Sequence, residues 1–542
     1  AGRQPLRAAA TVAVLAATCC AIVFAGTYRD TVDRGAADQA AFSVPMVARL
    51  TTGPGLTRPA DVASPATVAA LGSGAVAYPV LRAGATVAVS PAEAAPIEVL
   101  GVDPDALRRV AHWRPDYSAT APATIADRLR VPPVADGLAI PDGAVQLTVP
   151  VSGSTFRLEV LALIRDGAGR SLPVTLVRRG QSLQAPLPVA DGRVLASLTL
   201  REDQPTATFR LHALGEGTTD LPARTGRMIM SQPAADGTPL TGHLAEWAVT
   251  APGRGSADGA ALVVDYSIAG NKITAQPKAK ALGPVAVPVY VDSETARLAR
   301  TGTLALSLGE GQRLTVRPVA VGTVFPTTLR RFAVLDRATL TRALDAITPG
   351  AGTPTETWIW APPGRPAQAT ATALQREPFD QLGLALRAAE ERSLRTDPVA
   401  VAASRLLLGT AVAGLAIGAL CVVLLVVAER RESAAELFAK EAEGSRPGRL
   451  RRSLFARAAA VVALGVPFGL VSGLLLARAT TALVAVTAGG TTPRPPLILA
   501  ASPASVGGWL VLLLLLGLGG AAAVAAVSLR GALPLLPETD LR

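Results

Sequence analysis

Cysteine and histidine are nearly absent from this sequence, and aromatic residues are scarce. The 542 residues include three cysteines and three histidines, and Phe, Trp and Tyr together make up 4%. Cys19, Cys20 and Cys421 all fall inside apolar runs, so the long stretch from Thr27 to Arg405 has no disulfide framework and no thiolate metal site. A region of that size buries its own core without staples. His112, His212 and His243 stand apart, with no His-x-x-x-His spacing, and neither a Gly-x-Ser-x-Gly elbow nor a Gly-x-x-x-x-Gly-Lys-Ser/Thr loop occurs. Asp103 and Asp105 form the nearest thing to a carboxylate pair, and helix capping accounts for them. No catalytic residue, metal or cofactor is therefore expected, and any ATP hydrolysis belongs to another subunit.

What the sequence has in quantity is apolar length. Leu406 to Ala428 is a run of 23 residues without a charge, which crosses a hydrocarbon core of about 30 Å at a rise of about 1.5 Å per residue. Ala8 to Gly26, Ala458 to Ala477 and Trp509 to Leu529 are similar runs. The first is longer than a signal-peptide core and reads as a retained helix. The net charge is +11, but many basic residues gather beside these runs, which favours membrane topology over nucleic acid. Residues 429–457 form a short Arg-rich loop between the second and third spans, and positive charge in a short loop marks the cytoplasmic side. Four spans with both chain ends inside satisfy the charge rule, and place the protein in the cell membrane with its large region outside.

The expected fold is an α+β membrane protein. Four transmembrane helices carry an extracytoplasmic α/β domain interrupted by an antiparallel β-sandwich. A polar helical stalk runs from Thr27 to about Ala40. Residues 27–144 form the first half of the α/β core, with β-like runs at Ala75–Leu81 and Thr86–Val89. A strand follows at Ile97–Val102, then a helix from Pro104 to about Ala111 capped by Asp103. Period-two alternation at Val145, Leu147, Val149 and Val151, at Phe156, Leu158 and Val160, and at Ala207, Phe209 and Leu211 predicts the inserted sandwich over residues 145–252. Trp247 and His243 are a candidate sugar platform there, with simple packing the blander reading. Residues 253–381 complete the core, with strands at Ala286–Val291, Arg313–Val321, Phe332–Leu335 and Thr357–Trp360 and helices at Ser293–Arg300 and Ala338–Ala346. Residues 382–405 read as a helix returning to the membrane. Beyond the third span lie an external loop (478–508), the fourth span (509–529) and a cytoplasmic tail (530–542).

Two groups of residues stand out in the membrane part. Gly465, Gly469 and Gly473 recur at four-residue spacing, as do Gly414 and Gly418, giving smooth faces for close helix approach, and Pro467 sits within the first group. No charge lies in the middle of any span, so no hydrophilic path through the helices is visible. In the Arg-rich loop, Leu437 and Phe438 are apolar among Glu436, Lys440 and Glu441, and Arg449, Arg451 and Arg452 follow a Gly-Ser-Arg-Pro-Gly break. This pattern suits a helix that docks an apolar tip into a partner while arginines sit at the headgroups.

The order of these elements resembles the FtsX-like permeases of ABC transporters, which include MacB-type exporters, and is most similar to long actinobacterial members. The stretch Ala428–Ala458 (AERRESAAELFAKEAEGSRPGRLRRSLFARA) looks like the family's loop between its second and third helices. Ile97–Arg114 and Val287–Ala299 look like the two halves of its outer core. The resemblance implies a separate ABC ATPase docking at Leu437 and Phe438, and a second permease unit. It also implies transmission of ATP-driven motion to the outer domain. The alternative from another class is a membrane-anchored protein whose β-rich insert holds a glycan or protein ligand of the envelope, with no ATPase.

Overall fold

A computed structural model describes residues 5–90, 92–132, 137–153, 158–202, 224–250, 253–268, 275–278, 286–299, 301–309, 313–328, 331–432, 447–483 and 493–528. The chain divides into two units, Ser43–Arg387 and Ala1–Phe42 with Ala388–Arg542. Helix α1 (Pro5–Ser43) continues unbroken through the apolar run and the polar stretch after it.

The first unit begins with β1 (Ala48–Thr51), the short helices α2 (Pro59–Val62) and α3 (Pro65–Ala69), β2 (Val76–Ser90) and β3 (Glu93–Val102), then α4 (Pro104–Leu107) and α5 (Pro122–Leu129). The two runs expected at Ala75–Leu81 and Thr86–Val89 are one strand, because Gly84 keeps extended pairing with Glu98 instead of breaking the ladder. The helix expected to reach Ala111 stops at Leu107, and His112 soon after takes a left-handed φ of 51° that a helix cannot absorb.

Strands β4 (Leu138–Ala139), β5 (Gln146–Gly153), β6 (Leu158–Arg165), β7 (Ser171–Arg179), β8 (Ser182–Pro186) and β9 (Val194–Glu202) follow. After them come β10 (Arg224–Met230), β11 (Ala234–Ala235), β12 (Thr238–Pro239), β13 (Ala248–Thr250), β14 (Arg254–Asp258), β15 (Ala261–Ile268) and β16 (Gln276–Lys278). They make a thirteen-stranded sheet whose main path runs β13-β16-β9-β6-β7-β8-β5-β10-β15-β14. The two ends of that path are consecutive in the chain and touch, since a methyl group at Gly255 would lie 2.9 Å from Val249 Cβ. The expected two-layer sandwich is instead a single rolled, barrel-like sheet, an arrangement that leaves few unpaired edges. Leu147, Val149, Val160, Ala162, Leu198, Leu200, Met228 and Trp247 fill its core. The alternation expected at Ala207, Phe209 and Leu211 lies outside the described residues.

The chain then returns to the first sheet with β17 (Val287–Asp292), α6 (Ser293–Leu298), β18 (Leu304–Ser307), β19 (Arg313–Gly322), β20 (Phe332–Asp336), α7 (Arg337–Asp345), β21 (Glu356–Trp360), α8 (Arg365–Ala373) and β22 (Gly383–Leu386). Nine strands pair in the order β18-β19-β17-β20-β3-β2-β21-β1-β22, so strands from before and after the barrel interleave. β20 runs parallel to β3, and β17 parallel to β19. Successive residues go to opposite faces: Val334 and Leu100 pack with α4 and α5, whereas Ala333, Leu335 and Val99 pack with α7. Three strands end in, or are followed directly by, an aspartate that caps the next helix. Asp103 accepts from the Asp105 amide, Asp292 from those of Glu294 and Thr295, and Asp336 from that of Thr339. Gly383–Leu386, expected as helix, is an edge strand paired with β1, because the sheet offers β1 an unfilled side and the backbone takes it. Only from Arg387 does the helix α9 (Arg387–Arg395) begin.

Two buried polar clusters hold this unit together. Asp345, 3% exposed at the end of α7, accepts from Ser171 Oγ at 2.7 Å, Arg165 at 3.2 Å, and the Gly350 and Gly352 amides at 3.2 and 2.9 Å. Ser171 and Arg165 flank the β6–β7 turn, so this carboxylate fastens the barrel to the nine-stranded sheet. Across β1, β21 and β2, Glu356 accepts from Arg49 at 2.8 and 3.0 Å and from Arg82, which also pairs with Glu98. Burial pushes the Glu356 carboxyl up, but hydrogen bonds and charge from Arg49 and Arg82 outweigh it and hold it below its ordinary range.

A carboxyl with a depressed folded value contributes stability above its unfolded value, and loses that contribution as pH falls through the folded one. Glu356→Gln is expected to destabilise at pH 7 by about 3 kcal/mol, the scale of breaking a buried pair. The difference from wild type should shrink below about pH 4.5, as read by thermal unfolding across pH. Asp345→Ala is expected to cost about 3 kcal/mol and to open the β6–β7 turn to protease first, read by limited proteolysis with peptide mapping.

Candidate functional site

The second unit adds α10 (Pro398–Glu432), α11 (Pro447–Leu483) and α12 (Pro503–Ser528) to α1. Asp397 starts α10 by accepting from the Val399 amide at 2.8 Å, ahead of Pro398 at the first helical position. Three helices, Ala9–Ser43, Pro398–Ala428 and Ala459–Thr480, are long and apolar enough to cross a membrane. In α12 the apolar stretch among the described residues, Leu510–Gly520, is shorter than that, so the described residues hold three helices with the length and composition of a span where four were expected.

The glycines singled out by spacing all face α1. A methyl group at Gly465 would lie 2.9 Å from Leu15 Cδ2. At Gly469 it would lie 2.5 Å from the Ala16 carbonyl and collide with Cys19 Cβ, and at Gly473 it would be 2.8 Å from Val23 Cβ and 2.9 Å from the Cys20 carbonyl. At Gly469 and Gly473 backbone meets backbone, which only a residue without Cβ allows. On α10, Gly414 and Gly418 face Thr18, with added methyl groups 3.6 and 3.0 Å from its Cγ2. Helix α1 thus lies against two neighbours through small residues of its own, with Leu15, Cys19 and Ile22 buried. Pro467 lies inside α11, two residues from both Gly465 and Gly469.

A second contact, not apparent from the sequence, holds the polar end of α1. The Thr31 hydroxyl accepts from the Ala500 amide at 3.1 Å while its one proton goes to the Thr27 carbonyl at 2.7 Å, with the Ala500 carbonyl the more distant acceptor at 3.3 Å, and Asp30 accepts from the Ser502 amide at 2.7 Å. Leu497 lies over Gly35. Asp30 therefore caps the chain as it enters α12, supplying an acceptor that the Pro-rich segment before α12 lacks locally.

Of the coupling residues, Glu436, Leu437, Phe438 and Lys440 lie outside the described residues. Arg449, Arg451 and Arg452 fall in the first turns of α11. Trp247 is 7% exposed within the barrel core, so it offers no face to a sugar, whereas His243 is exposed just before a short 3-10 turn. Among the described residues no group of three or more His, Cys, Asp or Glu side chains converges as a metal site would require.

No protein-family model matches the chain, and no curated protein matches it either.

The α1 contact makes an asymmetric prediction. Gly469→Leu is expected to lower stability by about 2 kcal/mol through overpacking against α1. Gly409→Leu, at a position with open space on α10, should leave it unchanged. Thermal unfolding of the detergent-solubilised protein distinguishes the two.

Proposed function

We propose that the chain is the membrane subunit of an ABC-type transporter, receiving motion from a separate cytoplasmic ATPase and passing it to its extracytoplasmic unit for export or envelope remodelling. The observation that carries this reading is the glycine-seated contact of α1 with α10 and α11. α11 begins in the Arg-rich segment, and α1 continues without a break to Ser43, five residues before β1 of the nine-stranded sheet. In this reading a displacement at the loop end of α11 passes to α1 through the glycine contact, and α1 leads along the chain into the other unit. The apolar spans offer no charged path for a polar solute, which favours transmission of force over conduction.

In this reading Leu437 and Phe438 dock on the ATPase, with Glu436 and Lys440 beside them and Arg449, Arg451 and Arg452 at the headgroup level. Trp509–Leu529 forms a fourth span, both chain ends are cytoplasmic, and a second permease unit completes the assembly. The resemblance to FtsX-like permeases supports the same arrangement. The chain itself performs no catalysis.

Affinity purification of the full chain from its native membrane, followed by mass spectrometry, tests this. A nucleotide-binding ATPase is expected to co-purify and to be lost from the Leu437→Asp/Phe438→Asp double variant. An intact complex without any ATPase would overturn the proposal in favour of a membrane-anchored envelope-binding protein.

A further inference from the structure

A groove of about 510 Å³ runs between α1 and the start of α10. Its walls are graded along the helices. Ile22 and Ala25 on α1 and Leu408 and Ala411 on α10 line one end, and Arg29, Asp33, Arg395 and Arg405 line the other. At about 1.5 Å per residue the apolar part is roughly 9 Å deep, from Arg405 to Ala411. An amphiphile has the same gradient.

The charges at the polar end are unevenly matched. Arg29 lies 3.9 Å from Asp33, Arg395 pairs with Glu391 at 2.7 Å, and Asp30 is engaged by the Ser502 amide. Arg405 is the sole charged residue from Pro398 to Ala428, and among the described residues it has no hydrogen bond or ion pair. It stands seven residues inside a helix apolar enough to cross a membrane. A guanidinium at that depth requires an anion or must reach back to water. Here it borders a cavity, with two further guanidiniums at the same end.

From this geometry we infer that the groove is a phospholipid site. The phosphate of a glycerophospholipid sits against Arg405 with Arg29 and Arg395 near it, and an acyl chain lies along Ile22, Ala25, Leu408 and Ala411. Arginine suits the role because its planar fork binds phosphate oxygens bidentately. The leaflet is the one adjoining the end of α1 that leads to Ser43. The inference depends on the membrane assignment and not on an ATPase partner.

Native mass spectrometry of the full chain released from mild detergent is the test, on wild type, Arg405→Gln, Arg405→Lys and Leu408→Trp, the last placed to fill the apolar end. Wild type is expected to retain a phospholipid. Arg405→Gln should lower retention about tenfold, the scale of one lost charge-assisted hydrogen bond, Arg405→Lys should keep most of it, and Leu408→Trp should lose it with all charges intact. Equal retention by wild type, Arg405→Gln and Leu408→Trp would overturn the inference. Glycerol 3-phosphate added to delipidated wild type separates the two sources of phosphate. Failure to bind supports a lipid, and binding as tight as that of added phosphatidylglycerol would reduce the groove to a simple anion site.

Discussion

Close approach of helix backbones in the membrane unit is the constraint on which the proposed mechanism rests. Lipid tails are as apolar as leucine, so burying large side chains between membrane helices gains little over leaving them in lipid. Association then depends on dispersion at short range, which falls away within a fraction of an ångström. Gly465, Gly469 and Gly473 meet that condition by letting α1 approach until its Ala16 and Cys20 carbonyls lie where a Cβ would be. Thr31 and Asp30 hold the same helix at its polar end through backbone groups of residues 500 and 502. Helix α1 is thus held along two stretches, from Leu15 to Val23 and from Asp30 to Gly35.

The unit from Ser43 to Arg387 meets a different demand, that of joining two sheets built from interleaved sequence. Apolar contact alone would let a barrel slide on its neighbour. Asp345 removes that freedom, since a buried carboxylate needs several donors at once and finds them only when the β6–β7 turn and the loop after α7 are both in place. Glu356 performs the analogous task within the nine-stranded sheet, where Arg49 and Arg82 reach it from the two strands that flank β21. In both places the charge is costly to bury, and its gain is geometric definition.

Much of this was legible along the chain where the cause is local. Asp103 announces a helix start because capping involves only the next few residues, and the structure shows Asp292 and Asp336 acting in the same way. Three of the four expected spans coincide with helices of the required length and composition, since the bilayer sets the number of apolar residues needed. Spacing also marks the smooth face of Gly465, Gly469 and Gly473. Boundaries went astray where a distant partner intervened. Gly383–Leu386 has composition that suits a helix, yet it pairs with Ala48–Thr51, more than three hundred residues earlier in the sequence.

By itself, then, the sequence determined three segments apolar enough to cross a membrane, the helix start at Asp103, and where alternation demands strands. Each of these follows from interactions within a few residues, or from the thickness of a bilayer. Tertiary structure alone decided that the inserted strands roll into one barrel-like path and that Asp345 fastens them to the first sheet. It also decided that α1 fills the glycine faces of both α10 and α11, and that Arg405 borders a groove shared with α1. Those outcomes depend on which surfaces meet, and contacts between residues hundreds of positions apart leave no periodic trace in the chain.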